Sequence, residues 1–331
     1  MGNKIVLVLL AIILTVLPIS GGHAKPFYEG KTITMIVATS PGGGYDFYGR
    51  LMARFMQKYL PGSTIIVRNL PGAGHIIGCN ELYHAKPNGL TLGTFNRALA
   101  LTQLAGVKGV KFDLTKMSWL GSPCSELYSF IVTPKFKILD DVMRADTVRI
   151  ASSGLGAVAH VTPLLFAQMT GAKNFKIVTG YTGGEAELAM MRGEIDGQFA
   201  SWFSLQAFVE DGHGRAVMFI GRKQPKGYEN VPLIQDVITE ARHKPIIDLL
   251  FGVNLVGRPF AGPPGISQDR LQILQDTFKK ACHDPDLLKI AKKAERPMDY
   301  IGADEAVAWA EGPLKLPPDV IEVLRQAYGV K

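Results

Sequence analysis

The chain repeats one local pattern, in which a short apolar run rich in β-branched residues leads into a glycine-rich turn and then into a segment with helical spacing. The three clearest turns, each after a predicted strand, are residues 41–46, 152–156 and 181–184. The predicted strands are residues 33–39, 64–67, 91–95, 148–151, 175–178, 197–200 and 216–220. This alternation predicts an α/β fold whose parallel sheets are covered by helices on both faces.

The length of 331 residues exceeds that of a typical single domain, so we expect two lobes. The strand pattern starts again near Gly121, and the apolar residues 253–256 are predicted to form a strand that crosses back. C-terminal helices are predicted at 267–282, 285–293, 303–310 and 318–328. Asp46 is expected to cap the first helix, and Pro163 indicates a helix start near His160, because proline is tolerated in the first turn.

The first 24 residues have the features of a secretory signal peptide. Lys4 precedes an apolar run at 5–17, and the small residues Gly22 and Ala24 precede the expected cleavage site. An uncleaved membrane anchor is the alternative, but the apolar run is short for a bilayer. We therefore expect a mature, soluble protein that begins after Ala24 and is located in the periplasm.

Cysteine and charge patterns exclude several classes of protein. Cys79, Cys124 and Cys282 form no metal-binding or redox motif, and they allow either one disulfide with a free thiol or three buried thiols. The net charge of +7 comes from scattered lysines and arginines rather than from a basic run. This distribution argues against nucleic-acid binding and is compatible with an anionic ligand. No cofactor and no metal are expected.

The sequence lacks the motifs of common nucleotide-binding and hydrolytic enzymes. Phe47 stands where the dinucleotide fingerprint needs a glycine, and neither a phosphate-binding loop, a G-x-S-x-G elbow nor an H-E-x-x-H motif occurs. Ser152, His160 and Asp196 are the residue types of a catalytic triad, so a secreted hydrolase that uses Ser152 and His160 is the alternative. The prediction is a protein without enzymatic activity.

Glycine-rich turns before helices are suited to binding anions. Glycine allows close approach to backbone N–H groups, and the helix N-terminus adds partial positive charge, so such a turn holds a carboxylate without a lysine. In open α/β sheets these turns lie at the carboxyl ends of the strands, where ligands bind. Because three such turns occur in two halves of the chain, one shared anion-binding cleft is predicted.

Six motifs in a fixed order resemble those of a known family. They are PGGGYD at 41–46, NLPGAG at 69–74, KPNGLTLG at 86–93, IASSGLGAVAH at 150–160, YTGGEAELAMMRGEIDG at 181–197 and GRPFAGPPGI at 257–266. The chain resembles the extracytoplasmic substrate-binding receptors of tripartite tricarboxylate transporters, the Bug family. The resemblance implies a type II-like periplasmic-binding-protein fold with a ligand cleft between two α/β lobes. Lobe one would comprise residues 25–120 and 252–331, and lobe two residues 121–251.

The resemblance also implies a function and partners. Receptors of this family capture a small organic carboxylate and deliver it to one large and one small integral-membrane subunit. A sensor that reports ligand occupancy to a signalling partner is a second alternative, because it needs the same closing cleft. We expect a monomer.

In the family, two loops grip the carboxylate through backbone groups, and they correspond here to residues 40–46 and 181–184. The amides of Gly43, Gly44, Thr182 and Gly183 are expected to bind it. Arg97 follows a strand and is suited to a second carboxylate, unless it is a solvated surface residue. The predicted ligand-binding residues are Ser40, Gly43, Gly44, Tyr45, Asp46, Arg97, Ser152, Gly154, Gly156, Tyr181, Thr182, Gly183, Gly184 and Trp202.

Overall fold

A computed structural model describes residues 26–182 and 184–330, so the predicted signal peptide lies outside the described residues. The strands are β1 (Thr32–Val37), β2 (Thr64–Asn69), β3 (Thr91–Thr94), β4 (Ser118–Gly121), β5 (Tyr128–Val132), β6 (Val148–Ser152), β7 (Phe175–Thr179), β8 (Gly197–Ser201), β9 (Arg215–Ile220) and β10 (Phe260–Gly262). They form two five-stranded sheets, with the orders β2-β1-β3-β10-β4 and β7-β6-β8-β5-β9.

Thirteen α-helices in the described part of the chain surround the two sheets. They are α1 (Gly44–Lys58), α2 (Ile76–Tyr83), α3 (Leu99–Leu104), α4 (Leu139–Arg144), α5 (Val158–Thr170), α6 (Glu185–Met191), α7 (Trp202–Glu210), α8 (Ile234–Val237), α9 (Lys244–Leu255), α10 (Gln268–Cys282), α11 (Pro285–Lys293), α12 (Ala303–Glu311) and α13 (Pro318–Ala327). Helices α1 and α10 pack together on one face of the first sheet, around Phe55, Leu274 and Phe278.

Both sheets are mixed, which corrects the prediction of parallel sheets. In the first sheet β1 is parallel to β2 and β3, but β10 is antiparallel to β3 and β4. In the second sheet β6 is parallel to β7 and β8, but β5 is antiparallel to β8 and β9. The antiparallel strands β5 and β10 each follow a passage of the chain from one sheet to the other, so they do not belong to a repeated strand–helix unit.

Two other local predictions were wrong. Residues 253–256 are the end of α9 rather than a strand, and β10 is the strand that returns to the first sheet. Ile246, Leu250 and Val253 continue one buried stripe of α9, which a four-residue apolar run does not reveal. Helix α5 begins at Val158 and contains Pro163 in its interior, where the loss of one backbone hydrogen bond is offset by burial of the flanking residues.

The two sheets belong to lobes that are in contact. One apolar cluster joins Phe95 and Trp119 of lobe one to Phe130 and Phe166 of lobe two, and α5 packs against α13. Strands β1–β4 and β10 form the first sheet and β5–β9 the second, while the lobe limits stay a prediction. The molecule is therefore in a closed arrangement.

The structure decides between the two predictions for the cysteines. Cys79, Cys124 and Cys282 are all buried free thiols. Within residues 26–182 and 184–330, no helix is long and apolar enough to span a bilayer, and no group of three or more metal-binding side chains occurs.

Candidate ligand-binding cleft

A cavity of about 160 Å³ lies between the lobes, where strands of both sheets end. Lobe one contributes the residues before and at the start of α1 and the residues after β3. Lobe two contributes the ends of β6 and β8 and the turn after β7. The predicted residues that line the cavity are Gly43, Gly44, Tyr45, Arg97, Ser152, Tyr181 and Thr182. The turns at 41–46 and 181–184 thus face one shared space.

The turn before α1 leaves backbone donors free at the cavity. Asp46 lies inside the first turn of α1 and is not its N-cap, a position that Gly43 takes. Its carboxylate accepts hydrogen bonds from the Gly42 amide, Arg50 and Asn69, which outweigh the effect of burial and lower the pKa of Asp46. Asp46 therefore shapes the turn, while the Gly43 and Gly44 amides have no partner among the described residues.

Arg97 is buried in the cavity wall and is not a solvated surface residue, with 1% of its surface exposed. Its Nε donates to Asn254 Oδ1 at 2.9 Å, and Nη1 lies 3.4 Å from both Tyr45 OH and the Gly257 carbonyl. Its Nη2 is buried without a hydrogen-bond partner, and no described acidic side chain forms an ion pair with Arg97. An arginine buried with only neutral acceptors is suited to receive a carboxylate.

Tyr45 lines the cavity and contacts two of its arginines. Its hydroxyl accepts the Arg97 backbone amide at 3.2 Å, and the Arg258 guanidinium lies 4.3 Å from its ring centroid. His75 packs against the same ring at 4.8 Å and has a left-handed backbone, with φ of 80°. Burial and the charges of Arg258 and Arg97 lower the pKa of His75 to about 3, so this cavity residue is a neutral imidazole near neutral pH.

Arg258 differs from Arg97 because it has a buried acidic partner. Arg258 Nη2 lies 2.5 Å from Glu126 Oε1, and the Glu126 carboxylate also accepts a hydrogen bond from Ser201. Glu126 and Arg258 lie in the two segments that connect the lobes. Arg296 extends the same wall, where its Nη1 donates to the Phe203 carbonyl and to Ser204 Oγ of lobe two.

The turn after β7 is partly occupied by a side chain of its own helix. Glu185, the first residue of α6, accepts hydrogen bonds from Thr182 N at 2.7 Å and from Thr182 Oγ1 at 3.0 Å. The Thr182 hydroxyl also lies 2.6 Å from Ser40 Oγ, which joins the two lobes at the cleft. The Thr182 amide is therefore engaged by Glu185. Gly183 lies outside the described residues, and Gly184 is exposed and does not line the cavity.

The glycines of the turn at 152–156 serve the contact between lobes, whereas Ser152 of the same turn lines the cavity. A Cβ on Gly156 would lie 2.3 Å from the Gly74 carbonyl oxygen, and one on Gly74 would lie 2.5 Å from the Gly154 carbonyl. The Gly156 amide donates to Ala73 O at 3.3 Å. Gly154 and Gly156 therefore allow the NLPGAG turn of lobe one to approach closely, and neither lines the cavity.

Ser152 and His160 are in contact, but their surroundings differ from those of a catalytic triad. Ser152 Oγ lies 3.1 Å from His160 Nδ1 and accepts the Gly154 amide at 3.1 Å. Asp196 is bound to Arg149 and Lys135, and burial alone lowers the pKa of His160. No described carboxylate orients this histidine as a triad requires.

Trp202 was predicted to bind the ligand, but it packs with Phe219 and Tyr228 in the core of lobe two and does not line the cavity.

Two walls of the cavity carry residues that the sequence analysis did not predict. Glu187 and Gln198 line the cavity from α6 and β8, and burial raises the pKa of Glu187. The lining residues not predicted include His75, Asn96, Tyr128, Glu187, Gln198, Ser204, Arg258 and Arg296. Arg258 is the arginine of the GRPFAGPPGI motif, and this motif was the one sequence feature from which a lining residue in this set could have been predicted.

Two mixed α/β sheets that close over a polar cleft define the class of two-lobed periplasmic binding proteins. The periplasmic binding protein BugD superposes with a TM-score of 0.77 at 18% identity, covering 92% of this chain and 99% of that chain. MatC from Rhodopseudomonas palustris with bound malate gives a TM-score of 0.72 at 18% identity, covering 90% and 99%. The predicted two-lobed fold class is confirmed.

The family model of the tripartite tricarboxylate transporter family receptor matches residues 49–306, well over half of the chain. The chain belongs to this family, which confirms the predicted resemblance. Protein BugT of Bordetella pertussis is 26% identical over 222 residues, which cover 63% of this chain and 67% of BugT.

Proposed function

We propose that the protein captures a small organic carboxylate between its lobes and delivers it to the membrane subunits of a tripartite transporter, without transforming it. The observation that carries this proposal is Arg97, which is buried in the cavity wall with Nη2 unpaired and no acidic partner among the described residues. A ligand carboxylate would neutralise it and accept its free N–H groups, and the Gly43 and Gly44 amides offer further donors.

The size and closure of the cleft support a small, enclosed ligand. A cavity of about 160 Å³ is similar to one that accepts benzene, which suggests an acid of about six to ten non-hydrogen atoms. We infer that the acid first meets the arginine wall of lobe one in an open state. Closure then brings Thr182 to Ser40, and the membrane subunits recognise the closed form.

A thermal-shift panel of mono-, di- and tricarboxylates, with and without hydroxyl and amino groups, tests the proposal. We expect at least one acid to raise the melting temperature of the wild-type protein and of Arg68→Met, which removes an exposed arginine from an edge strand. The shift should be lost in Arg97→Met. A folded protein that responds to no acid, or a shift that survives Arg97→Met, would contradict the proposal. Native mass spectrometry of protein purified without refolding would identify a retained ligand.

The hydrolase alternative has a specific observation in its favour, the contact between Ser152 and His160. Turnover of a panel of activated esters and amides, with loss in Ser152→Ala, would support it. We expect no turnover, because the histidine lacks an orienting carboxylate among the residues described and Ser152 Oγ already accepts the Gly154 amide.

We also propose that residues 1–24 are cleaved, that the mature protein is located in the periplasm and that it is a monomer. N-terminal sequencing of the protein from a periplasmic fraction tests the cleavage and the location. Light scattering, which measures the mass of the particle in solution, tests the monomer.

A further inference from the structure

One carboxylate in the cleft has an unused hydrogen-bonding atom. Glu187 lines the cavity from α6 of lobe two, and its Oε2 is buried without a donor among the described residues. Burial raises the pKa of Glu187, whereas the Gln198 side chain and the charge of Arg296 act in the opposite direction, and no ion pair to Glu187 is formed. A buried carboxylate oxygen without a donor is costly, so a ligand that offers a donor there gains affinity.

The opposite wall carries charges of the other sign. Within the described part of the chain, Arg97 and Arg296 have no acidic partner, whereas Glu126 neutralises Arg258. The cavity is therefore lined by two guanidinium groups and one carboxylate that form no ion pair with a described residue. A ligand that matches all three carries two carboxylates on one side and a hydrogen-bond donor on the other.

Glu187 also gives a reason to reject simpler acids. A dicarboxylate without a donor would cover Glu187 with C–H groups or bring a second negative charge to it, and Oε2 would stay unpaired in the closed cleft. Sites that hydrogen-bond a polar group of the ligand discriminate strongly against analogues that lack this group, because the buried partner is then left unsatisfied.

We propose that Glu187 determines specificity, so that the receptor selects acids with two carboxylates and a hydroxyl or ammonium donor over unsubstituted dicarboxylates. Arg97 and Arg296 bind the carboxylates, and Glu187 Oε2 accepts the donor. This inference rests on the proposed function, since it concerns the ligand of the same cleft.

Isothermal titration calorimetry near neutral pH with succinate, malate and aspartate tests it, because these acids share a skeleton and differ only in hydrogen, hydroxyl or ammonium. The trio glutarate, 2-hydroxyglutarate and glutamate extends the test by one methylene. In one of the trios we expect a substituted acid to bind the wild-type protein at least about tenfold more tightly than the unsubstituted acid. Glu210→Gln, which changes an exposed carboxylate at the end of α7, should keep this preference.

Glu187→Gln should remove most of the preference for an ammonium group, since a neutral amide no longer attracts it. The amide oxygen can still accept a hydroxyl, so Glu187→Leu, which removes the acceptor, should abolish the preference for either donor. Equal binding of substituted and unsubstituted acids by the wild type would overturn this inference and leave the proposed function intact. A preference that persists in a folded Glu187→Leu variant would also overturn it, whereas a failure of every acid in the panel contradicts the proposed function itself.

Discussion

Arg97 and Arg258 are both buried in the cavity wall that lobe one contributes, but they differ in whether their charge has an acidic partner. Arg97 and Arg258 line the same cavity, with 1% and 4% of their surfaces exposed. Both guanidinium groups lie over a tyrosine ring, but only Arg258 has an ion pair, which it forms with Glu126. Arg97 has only neutral acceptors, namely Asn254, Tyr45 and the Gly257 carbonyl.

This difference separates a structural charge from a functional one. A buried charge is tolerated when it is paired, so Arg258 and Glu126 form a neutral unit that fixes the two connecting segments to each other. Arg97 is attached to the second of these segments through Asn254 and Gly257, but its charge remains uncompensated by any described side chain. An anion that neutralises Arg97 thus binds beside the hinge, where it can favour closure.

The largest effect, a loss of stability, is expected when the ion pair between Arg258 and Glu126 is broken. Arg258→Met leaves Glu126 buried without its partner and should lower the free energy of unfolding by about 3–5 kcal/mol. Chemical denaturation followed by tryptophan fluorescence measures this. The double variant Glu126→Gln/Arg258→Met should recover most of the loss, because no uncompensated charge remains. Equal stability of Arg258→Met and wild type would show that the pair is not structural.

Arg97→Lys should give the opposite result, with affinity lost and stability kept. Lysine retains the charge but not the planar fork that binds a carboxylate through two N–H groups, so we expect a Kd about tenfold weaker for the tightest acid in the panel. The free energy of unfolding without ligand should change by less than about 1 kcal/mol, because no buried acid loses its partner. Calorimetry and denaturation together test this, and a large loss of stability would assign Arg97 to the structural class.

The sequence predicted Arg97 but not Arg258, for reasons that lie in the chain topology. Arg97 follows a strand, and the carboxyl ends of strands gather at a cleft in α/β folds. Arg258 follows α9, part of which resembled a strand, and its partner Glu126 lies in the other connecting segment. Contact between two connecting segments depends on tertiary packing, so no local spacing predicts this pair.

Glycine-rich turns were predicted as one type, and the structure divides them by what lies opposite. The turn at 41–46 faces the cavity and leaves two amides free. The turn at 152–156 packs against another glycine turn so closely that a Cβ on Gly156 would lie 2.3 Å from the Gly74 carbonyl oxygen. Without a side chain, glycine permits either approach, so the residue type alone does not distinguish them.

The sequence did not predict Glu187 as a cleft residue. A glutamate in the first turn of a helix usually interacts with the helix dipole, so its position gives no sign of a ligand site.

Tyr45→Phe removes the hydroxyl that contacts Arg97 but keeps the aromatic ring that contacts Arg258. The phenylalanine ring can still lie beneath Arg258, but the Arg97 amide and Nη1 lose their shared hydroxyl acceptor. One hydrogen bond of this kind is worth about 1 kcal/mol, so the Kd should weaken roughly fivefold. Calorimetry with the same acid measures it, and Tyr48→Phe, whose hydroxyl donates to the Pro297 carbonyl away from Arg97, is the matched control. An equal loss of affinity in the control would show that the effect is not specific to Arg97.

The smallest effect is expected at Ser40, where the lobes meet beside the cavity. Ser40→Ala removes the 2.6 Å contact with Thr182 Oγ1, but Glu185 still holds the Thr182 amide and hydroxyl in place. The closed state should lose about 0.5 kcal/mol, which weakens the Kd roughly twofold through a faster dissociation rate. Thr182→Val removes the same contact and also the hydroxyl bond to Glu185, so it should weaken binding more. If Ser40→Ala weakened binding as strongly as Arg97→Lys, closure of the lobes would contribute as much affinity as the arginine wall, and the contrast between the two arginines would no longer account for ligand capture.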